Sequence, residues 1–270
     1  MPVVPSQYFL LRLQFMGFRY HGWQHQPGQQ TVEGMLRKTF RFVLPGHQAK
    51  FLAAGRTDAR VSAWDFPVQL ILKGPLLEDI AGLEANIARN LPPDIRLLGV
   101  QPVPQTFNAI RDCREKTYRY LFTTGHKPHP YTTAWVGFLP GLTDVPAMMA
   151  AAPIFEGKHH FNALITSAGP RSKTYREVIS CRISQNTWLT ASIMPDPCYV
   201  MEVRAPGFGR NQVRLMVAAL AAIGRGELDA QTLTCVLKGE SDWKPQHIAP
   251  ASGLHLWRTE FDGPHKNTTL

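Results

Sequence analysis

The chain has 270 residues, of which 44% are hydrophobic, so it can bury a substantial core as one large domain or two smaller ones. Its 29 Lys and Arg against 20 Asp and Glu give a formal charge of +9, which favours a polyanionic partner. Four cysteines with no Cys-x-x-Cys pair argue against a disulfide framework, and no segment approaches the roughly 20 apolar residues of a membrane span or resembles a signal peptide. A cytoplasmic protein with reduced thiols is expected.

The first part of the chain predicts the element order β-α-β-β-α-β. Apolar residues alternate with polar ones over 9–15, which indicates a half-buried strand. An apolar face over 31–43 predicts a helix, with Thr31 as its N-cap and Pro45 as its stop. The remaining predicted elements are strands near 50–54 and 66–72, a helix near 76–90, and a strand over IRLLGVQPV.

The second part repeats this order. Its predicted elements are the strands KTYRYLFTT, TYREVISCRIS, CYVMEVRA and GLHLWRTEF and helices near 143–155 and 212–223. One β-α-β-β-α-β unit corresponds to a ferredoxin-like, split β-α-β arrangement. The sequence therefore predicts an α+β protein of two tandem ferredoxin-like halves, residues 1–105 and 106–270, with antiparallel sheets around a central basic cleft.

One carboxylate, Asp58, lies in the polar turn GRTDARVSA between two predicted strands. In an arbitrary turn, an aspartate usually accepts hydrogen bonds from nearby backbone, and an adjacent arginine merely balances its charge. Here Arg56 and Arg60 flank it, and Thr57 and Ser62 add hydroxyl groups. An aspartate kept ionised by an arginine can act as a nucleophile or a base without a metal ion.

Six collinear segments between residues 8 and 261 resemble the tRNA pseudouridine synthase A family. They are FMGFRYHGWQHQP, GRTDARVSA, NLPPDIRLLGVQPVPQTFNA, KTYRY, APGFGRNQVRLMVAAL and APASGLHL. The resemblance implies the pseudouridine synthase fold and a cofactor-free isomerase acting on RNA. Such enzymes break the bond from ribose C1′ to uracil N1, turn the base within the site, and rejoin it through C5.

The resemblance also implies roles for single residues. Asp58 corresponds to the catalytic carboxylate, which either attacks the sugar or base or removes the 2′ proton. Tyr118 corresponds to the tyrosine that stacks on the flipped uracil, and Arg214 to the arginine that pairs with the aspartate. Arg56 is expected to hold the site and nearby phosphates, and Leu254 to form an apolar wall against the uracil. Tyr120, on the same strand face as Tyr118, is expected to serve packing.

The implied substrate is tRNA, modified on the 3′ side of the anticodon stem-loop around tRNA positions 38–40, and the implied assembly is a homodimer whose subunits share one tRNA. The sequence departs from the family pattern at Arg60, Ser62, Ile110, Leu215 and His255, which puts the identity of the RNA in doubt. Arg60 stands where the family has a glycine. If that glycine adopts a positive φ, Arg60 carries a conformational cost.

Two other functions stay open at this point: an RNA-binding protein without catalysis, and a glycoside hydrolase, for which no second carboxylate stands out. The histidines lack the spacing of zinc ligands, so no metal site is predicted. Further basic residues are candidates for phosphate contacts. They are Arg19, Arg37, Lys38, Arg41, Lys116, Arg171, Lys173 and Arg210.

Overall fold

The computed structural model describes residues 5–167 and 173–262, which form two compact units. The first unit comprises Met1–Arg114 together with Leu256–Leu270, and the second comprises Glu115–His255. These units differ from the predicted halves, because the segment from 256 lies with the first unit. Each unit is a mixture of helices and mainly antiparallel strands, so the α+β class is confirmed. The tandem ferredoxin-like arrangement and the cleft stay predictions.

The first unit contains the predicted order of elements. They are β1 (Ser6–Phe15), α1 (Val32–Val43), β2 (Gln48–Ala53), β3 (Ser62–Lys73), α2 (Ile80–Asn90) and β4 (Ile95–Pro102). Strand β1 pairs antiparallel with β3 on one side and with β4 on the other. Strand β2 pairs with the second half of β3, from Val68 to Lys73. Strand β2 therefore ends opposite Val68, in the middle of β3, and the connection between the two strands begins there.

Helix boundaries in this unit follow from capping side chains. The Thr31 hydroxyl accepts a hydrogen bond from the Gly34 N–H, which confirms it as the N-cap of α1. The Asp79 carboxylate caps α2 in the same way through the Gly82 N–H. Helix α2 therefore begins at Ile80 rather than near 76, so the predicted start is wrong by about one turn.

The second unit begins within β5, at Glu115, and contains more elements than the sequence predicts. They are β5 (Cys113–Thr123), β6 (Gly137–Phe138), α3 (Val145–Ala151), β7 (Gly157–His160), β8 (Tyr175–Val178), β9 (Ser180–Gln185), β10 (Cys198–Ala205), α4 (Gln212–Gly224), α5 (Ala230–Lys238) and β11 (Leu254–Phe261), whose end belongs to the first unit. Strand β10 pairs antiparallel with both β5 and β9. Segment TYREVISCRIS forms two strands, and α5 is absent from the predicted order.

Helix α4 is buried on almost every side. The large apolar side chains from Val213 to Ile223 are buried, and so are Ala219, Ala221 and Ala222. A helix that is apolar all round belongs in a core rather than at a surface. Arg214 is only partly buried on this helix. In the described ranges, no helix is long and apolar enough to cross a membrane.

Candidate active site

Asp58 lies in the connection between β2 and β3, and its side chain is half-buried. The Val61 N–H donates to the Asp58 carbonyl at 3.2 Å, which closes a tight turn around Ala59 and Arg60. Arg56 and Arg60 are both exposed. Asp58 therefore lies, along the chain, between two exposed arginines of the same turn.

The loop after β1 holds this turn through the main chain. The Trp23 N–H donates to the Thr57 carbonyl at 3.2 Å, and the Arg60 N–H donates to the Tyr20 carbonyl at 3.0 Å. Gly22 has a φ of 86°, and a Cβ at this residue would lie 2.4 Å from the Thr57 carbonyl oxygen. Only glycine permits such a close approach of two backbones. Two motif segments that are distant in sequence therefore form one assembly.

Ser62 fastens the same loop from the other end. Its hydroxyl accepts a hydrogen bond from the Gly17 N–H at 2.9 Å, and both groups are buried. A Cβ at Gly17 would lie 2.0 Å from the Val61 carbonyl oxygen, so this contact also requires glycine. Ser62 is one of the departures from the family pattern, and the structure gives it a role in loop packing.

Tyr20 and Asp94 add a third motif segment, which sequence reasoning did not single out. The Tyr20 hydroxyl donates to Asp94 Oδ1 at 2.7 Å, and Arg19 Nε lies 3.1 Å from Asp94 Oδ2. Burial, and then the hydrogen bond to this carboxylate, raise the pKa of Tyr20. The available signal was that both are polar residues inside matched segments, YHGWQ and LPPD.

Arg60 occupies the left-handed region of backbone space, with a φ of 68°. A residue with a side chain is strained at this positive φ, so Arg60 carries the predicted conformational cost. The Arg60 guanidinium carbon lies 5.4 Å from the ring centroid of Phe18, in the loop that holds the turn. The Arg60 guanidinium thus lies over the Phe18 ring.

The second unit contains Tyr118, Arg214 and Leu254. Tyr118 lies on β5 opposite Val203 of β10, and it is 9% exposed. Its ring meets the ring of Phe208 edge to face, with centroids 5.2 Å apart. Phe208 lies in APGFGRNQ, just before α4. Two further motif segments are therefore joined by this aromatic contact.

Side chains from β5 and α4 bind the APASGL segment to the second unit. Arg214 Nε donates to the Ala249 carbonyl at 2.7 Å, and its Nη1 donates to Asn211 Oδ1 at 3.0 Å. The Tyr120 hydroxyl donates to the Pro250 carbonyl at 2.9 Å. Tyr120 is fully buried as predicted, and it also anchors the segment that leads to the buried Leu254. Burial raises the pKa of Tyr120, and the charge of Arg214 partly offsets this.

His255 is held neutral in the core of the second unit. Its Nε2 lies 2.9 Å from the Trp135 carbonyl, so Nε2 carries the proton and donates it. Nδ1 is buried and has no hydrogen-bond partner in the described part of the chain. Burial therefore lowers the pKa of His255 to about 4.

The other departures lie in different environments. Leu215 is buried in α4, whereas Ile110 is exposed in the crossover that leads to β5. This crossover is bound to β3 by Gln69, whose Nε2 donates to the Phe107 carbonyl at 2.7 Å. Arg111 donates to Asp112 and to the Thr106 carbonyl, so it is held along its own loop.

A cavity of about 460 Å³ lies elsewhere in the first unit, between α1 and β2, and Arg37, Arg41 and Phe51 are among the residues that line it. Arg37 there is paired with Glu33 at 2.6 Å. None of the motif residues in the Asp58 turn lines this cavity. Over 5–167 and 173–262, no group of three or more His, Cys, Asp or Glu residues could hold a metal ion. Arg171, a candidate phosphate contact, lies outside the described residues.

Comparisons with known proteins give a consistent result. A sequence profile described as tRNA pseudouridine synthase matches residues 151–262. A tRNA pseudouridine synthase A of Roseiflexus castenholzii is 31% identical, over 96% of this chain and 93% of that protein. The one of Rippkaea orientalis is 30% identical, over 95% and 84%, and the one of Lactobacillus helveticus is 29% identical, over 96% and 95%. The similarity extends over nearly the whole chain.

Proposed function

The chain belongs to the tRNA pseudouridine synthase A family, and from this premise we propose that it converts uridine to pseudouridine in tRNA. The relatives' names supply the substrate class, and the basic charge of +9 suits a polyanion. The observation that carries the proposal is Asp58, in a GRTD turn that main-chain bonds hold to one other motif segment, FMGFRYHGWQHQP. A glycoside hydrolase is not favoured, because family membership points to an isomerase.

The reaction is an isomerisation in which atoms balance within the nucleotide. The bond from ribose C1′ to uracil N1 breaks, and a bond from C1′ to C5 forms. The hydrogen on C5 leaves as a proton, and N1 gains a proton. No redox step and no water molecule is consumed. Asp58 supplies the carboxylate, either by attack on the sugar or base or by removal of the 2′ proton.

The other residues are proposed to bind the target nucleotide. The uridine must leave its stack before a carboxylate can reach the sugar and base. Tyr118 offers a flat ring whose orientation is fixed by Phe208. Arg214 binds the Ala249 carbonyl in the segment that leads to the buried Leu254, and the two side chains supply a cation and an apolar surface. Arg56, exposed beside Asp58, is proposed to contact RNA phosphate.

The anticodon stem-loop as the target and a homodimer as the assembly are further parts of the proposal. Both derive from the family resemblance stated above. Mapping pseudouridine in tRNA after treatment with the enzyme tests the first part. Light scattering of the purified protein tests the second part, with a mass of twice 30.3 kDa as the expected result.

The experiment that tests the function is tritium release from tRNA labelled at uridine C5. The wild-type chain should release tritium, because joining C1′ to C5 expels that hydrogen. Asp58→Asn should lower the rate by at least about 10³-fold, since it removes the reacting carboxylate. Asp242→Asn is the matched control, because Asp242 is exposed in the second unit and its change should leave the rate unaltered.

Two outcomes contradict the proposal. Release by Asp58→Asn at the wild-type rate would remove Asp58 from the chemistry. Absence of release by the wild-type chain, with salt-sensitive tRNA binding intact, would favour an RNA-binding protein without this activity. Circular dichroism of both variants shows that any loss of rate does not come from unfolding.

A further inference from the structure

Arg60 is the residue whose presence the proposed function leaves unexplained. It replaces a glycine of the family pattern two places after Asp58. Its backbone φ is 68°, a value that residues other than glycine seldom adopt. Strained backbone of this kind persists where surrounding contacts determine it, and it is concentrated at functional sites. Here the Arg60 N–H is fixed to the Tyr20 carbonyl at 3.0 Å, so the loop determines the strained conformation.

The Arg60 side chain has a defined place despite its exposure. Its guanidinium carbon lies 5.4 Å from the centroid of the Phe18 ring, and Phe18 itself is 38% exposed. Phe18 lies in the short 3-10 turn Gly17–Arg19. The neighbouring Gly17 N–H is bound to Ser62, so this turn is fastened to the same loop that carries Asp58. Phe18 and Arg60 therefore belong to the same pair of bonded segments as Asp58.

The geometry suits a ligand that carries both negative charge and flat rings. A guanidinium stacked on an aromatic ring keeps the N–H groups along its edge, which can bind a phosphate through two parallel hydrogen bonds. Its outer face can also stack on an unpaired base. No ion pair between Arg60 and a carboxylate occurs over 5–167 and 173–262. The positive charge of Arg60 is thus not neutralised by a neighbouring acid.

The short distance along the chain limits what Arg60 can reach. Two residues of extended backbone span at most about 7 Å, so Arg60 lies close to the residue that acts on the uridine. We propose that Arg60, supported by Phe18, binds the phosphodiester of a nucleotide adjoining the target uridine. This inference rests on the proposed function, and it assigns a contact that the glycine of the family pattern lacks.

The test compares Arg60→Gly and Phe18→Leu with the wild-type chain. Glycine suits the observed φ, so Arg60→Gly keeps the turn while it removes the guanidinium. We expect KM for tRNA to rise roughly fivefold to tenfold with kcat within about twofold, because the lost contact holds RNA rather than reacting atoms. The slope of log Kd against log salt should fall in magnitude by about 0.7–0.9, as one phosphate contact is lost. Phe18→Leu should raise KM in the same direction.

Arg89→Ala is the matched control, because Arg89 is exposed in the last turn of α2 and its loss removes the same charge from the same unit. If Arg60→Gly alters KM and the salt slope no more than Arg89→Ala does, the inference is overturned. It is also overturned if Phe18→Leu leaves KM at the wild-type value. Kd is measured in the Asp58→Asn background as well. Failure of the proposed function is detected separately, as absence of tritium release by the wild-type chain, and it does not depend on what Arg60 does to binding.

Discussion

The Asp58 turn and the APASGL segment are fixed by different kinds of contact. In the first unit, N–H groups of Trp23 and Arg60 bind carbonyls of Thr57 and Tyr20, so main chain holds main chain. In the second unit, the side chains of Arg214 and Tyr120 hold the carbonyls of Ala249 and Pro250. A turn held by its main chain tolerates new side chains, provided that they fit the backbone.

This difference bears on two of the five departures from the family pattern, Arg60 and Ser62. Arg60 and Ser62 both lie in the turn that the main chain holds, and the turn keeps its hydrogen bonds with them. In the second unit, Tyr120 and Arg214 match the pattern, and each supplies a bond that no backbone group replaces. Glycines are the sensitive residues in the first unit, and large polar side chains are the sensitive residues in the second.

The largest effect is expected from Gly22→Ala. A Cβ at Gly22 would lie 2.4 Å from the Thr57 carbonyl oxygen, at a φ of 86°. Clash and backbone strain together should lower the free energy of unfolding by about 2–4 kcal/mol, and tritium release should fall with it. Urea denaturation measures the stability.

Gly28→Ala is its control within the same loop. Gly28 also has a positive φ, 72°, but nothing lies within 4 Å of a Cβ there. Gly28→Ala should lower the free energy of unfolding by only about 1–2 kcal/mol. This is the cost of the positive φ without a steric clash. Equal effects of the two changes would contradict the account of a main-chain contact at Thr57.

The pH dependence of stability sharpens the comparison in the second unit. Burial lowers the pKa of His255 from 6.5 to about 4. Between these pH values the unfolded chain binds a proton at His255 and the folded chain does not. The contribution of neutral His255 to the free energy of unfolding is fully present above pH 6.5 and is lost as the pH falls towards 4. Between pH 7 and pH 5 the loss should be about 2 kcal/mol. Urea denaturation at both values measures it.

His255→Gln provides the reference for that measurement. Glutamine can still donate to the Trp135 carbonyl but cannot titrate, so the difference between wild type and variant isolates His255 from the carboxylates. The same decrease in both chains would show that other groups cause it.

Tyr120→Phe tests the side-chain anchor itself. It removes the hydrogen bond to the Pro250 carbonyl and keeps the ring, so the free energy of unfolding should fall by about 1 kcal/mol. kcat/KM for tRNA should also fall, because Leu254 follows this segment. Tyr199→Phe is the control, since within the described residues the Tyr199 hydroxyl makes no hydrogen bond while its ring stacks on Phe122. A larger effect at Tyr199 would contradict the anchor.

An effect of similar size is expected from the backbone at Arg60. Neither Arg60→Gly nor Arg60→Ala has a guanidinium, so their difference reports only how each residue accepts a φ of 68°. The glycine variant should be more stable than the alanine variant by about 1 kcal/mol. Thermal unfolding of the two variants measures this. Equal stability would mean that the turn relaxes to another conformation.

Local patterns predicted some elements well and others poorly. Thr31 identified the start of α1, because capping depends on residues close in sequence. Helix α5 was missed, although Asp229 caps it through Thr232 and Gly239 ends it in the left-handed region. The capping signal is present in the sequence, but the predicted order of elements contains nothing over 230–238.

The candidate site shows a different limit. The motif segments supplied Asp58, Tyr118 and Arg214 by resemblance, since collinear matches carry residue identity. They did not supply the bond from Tyr20 to Asp94, because the two residues are 74 positions apart and no local period relates them. The anchor from Tyr120 to Pro250 spans 130 positions and was likewise out of reach. Such long-range pairs become visible only when the chain is folded.

The main-chain support of the Asp58 turn has a consequence for protein engineering. Ala59 and Arg60 are exposed, and the turn around them is closed by the bond from the Val61 N–H to the Asp58 carbonyl. Positions 59 and 60 can therefore be randomised together in a library, with glycine favoured at 60, while the carboxylate stays in place. Selection from such a library could redirect the enzyme to RNA loops other than its natural target.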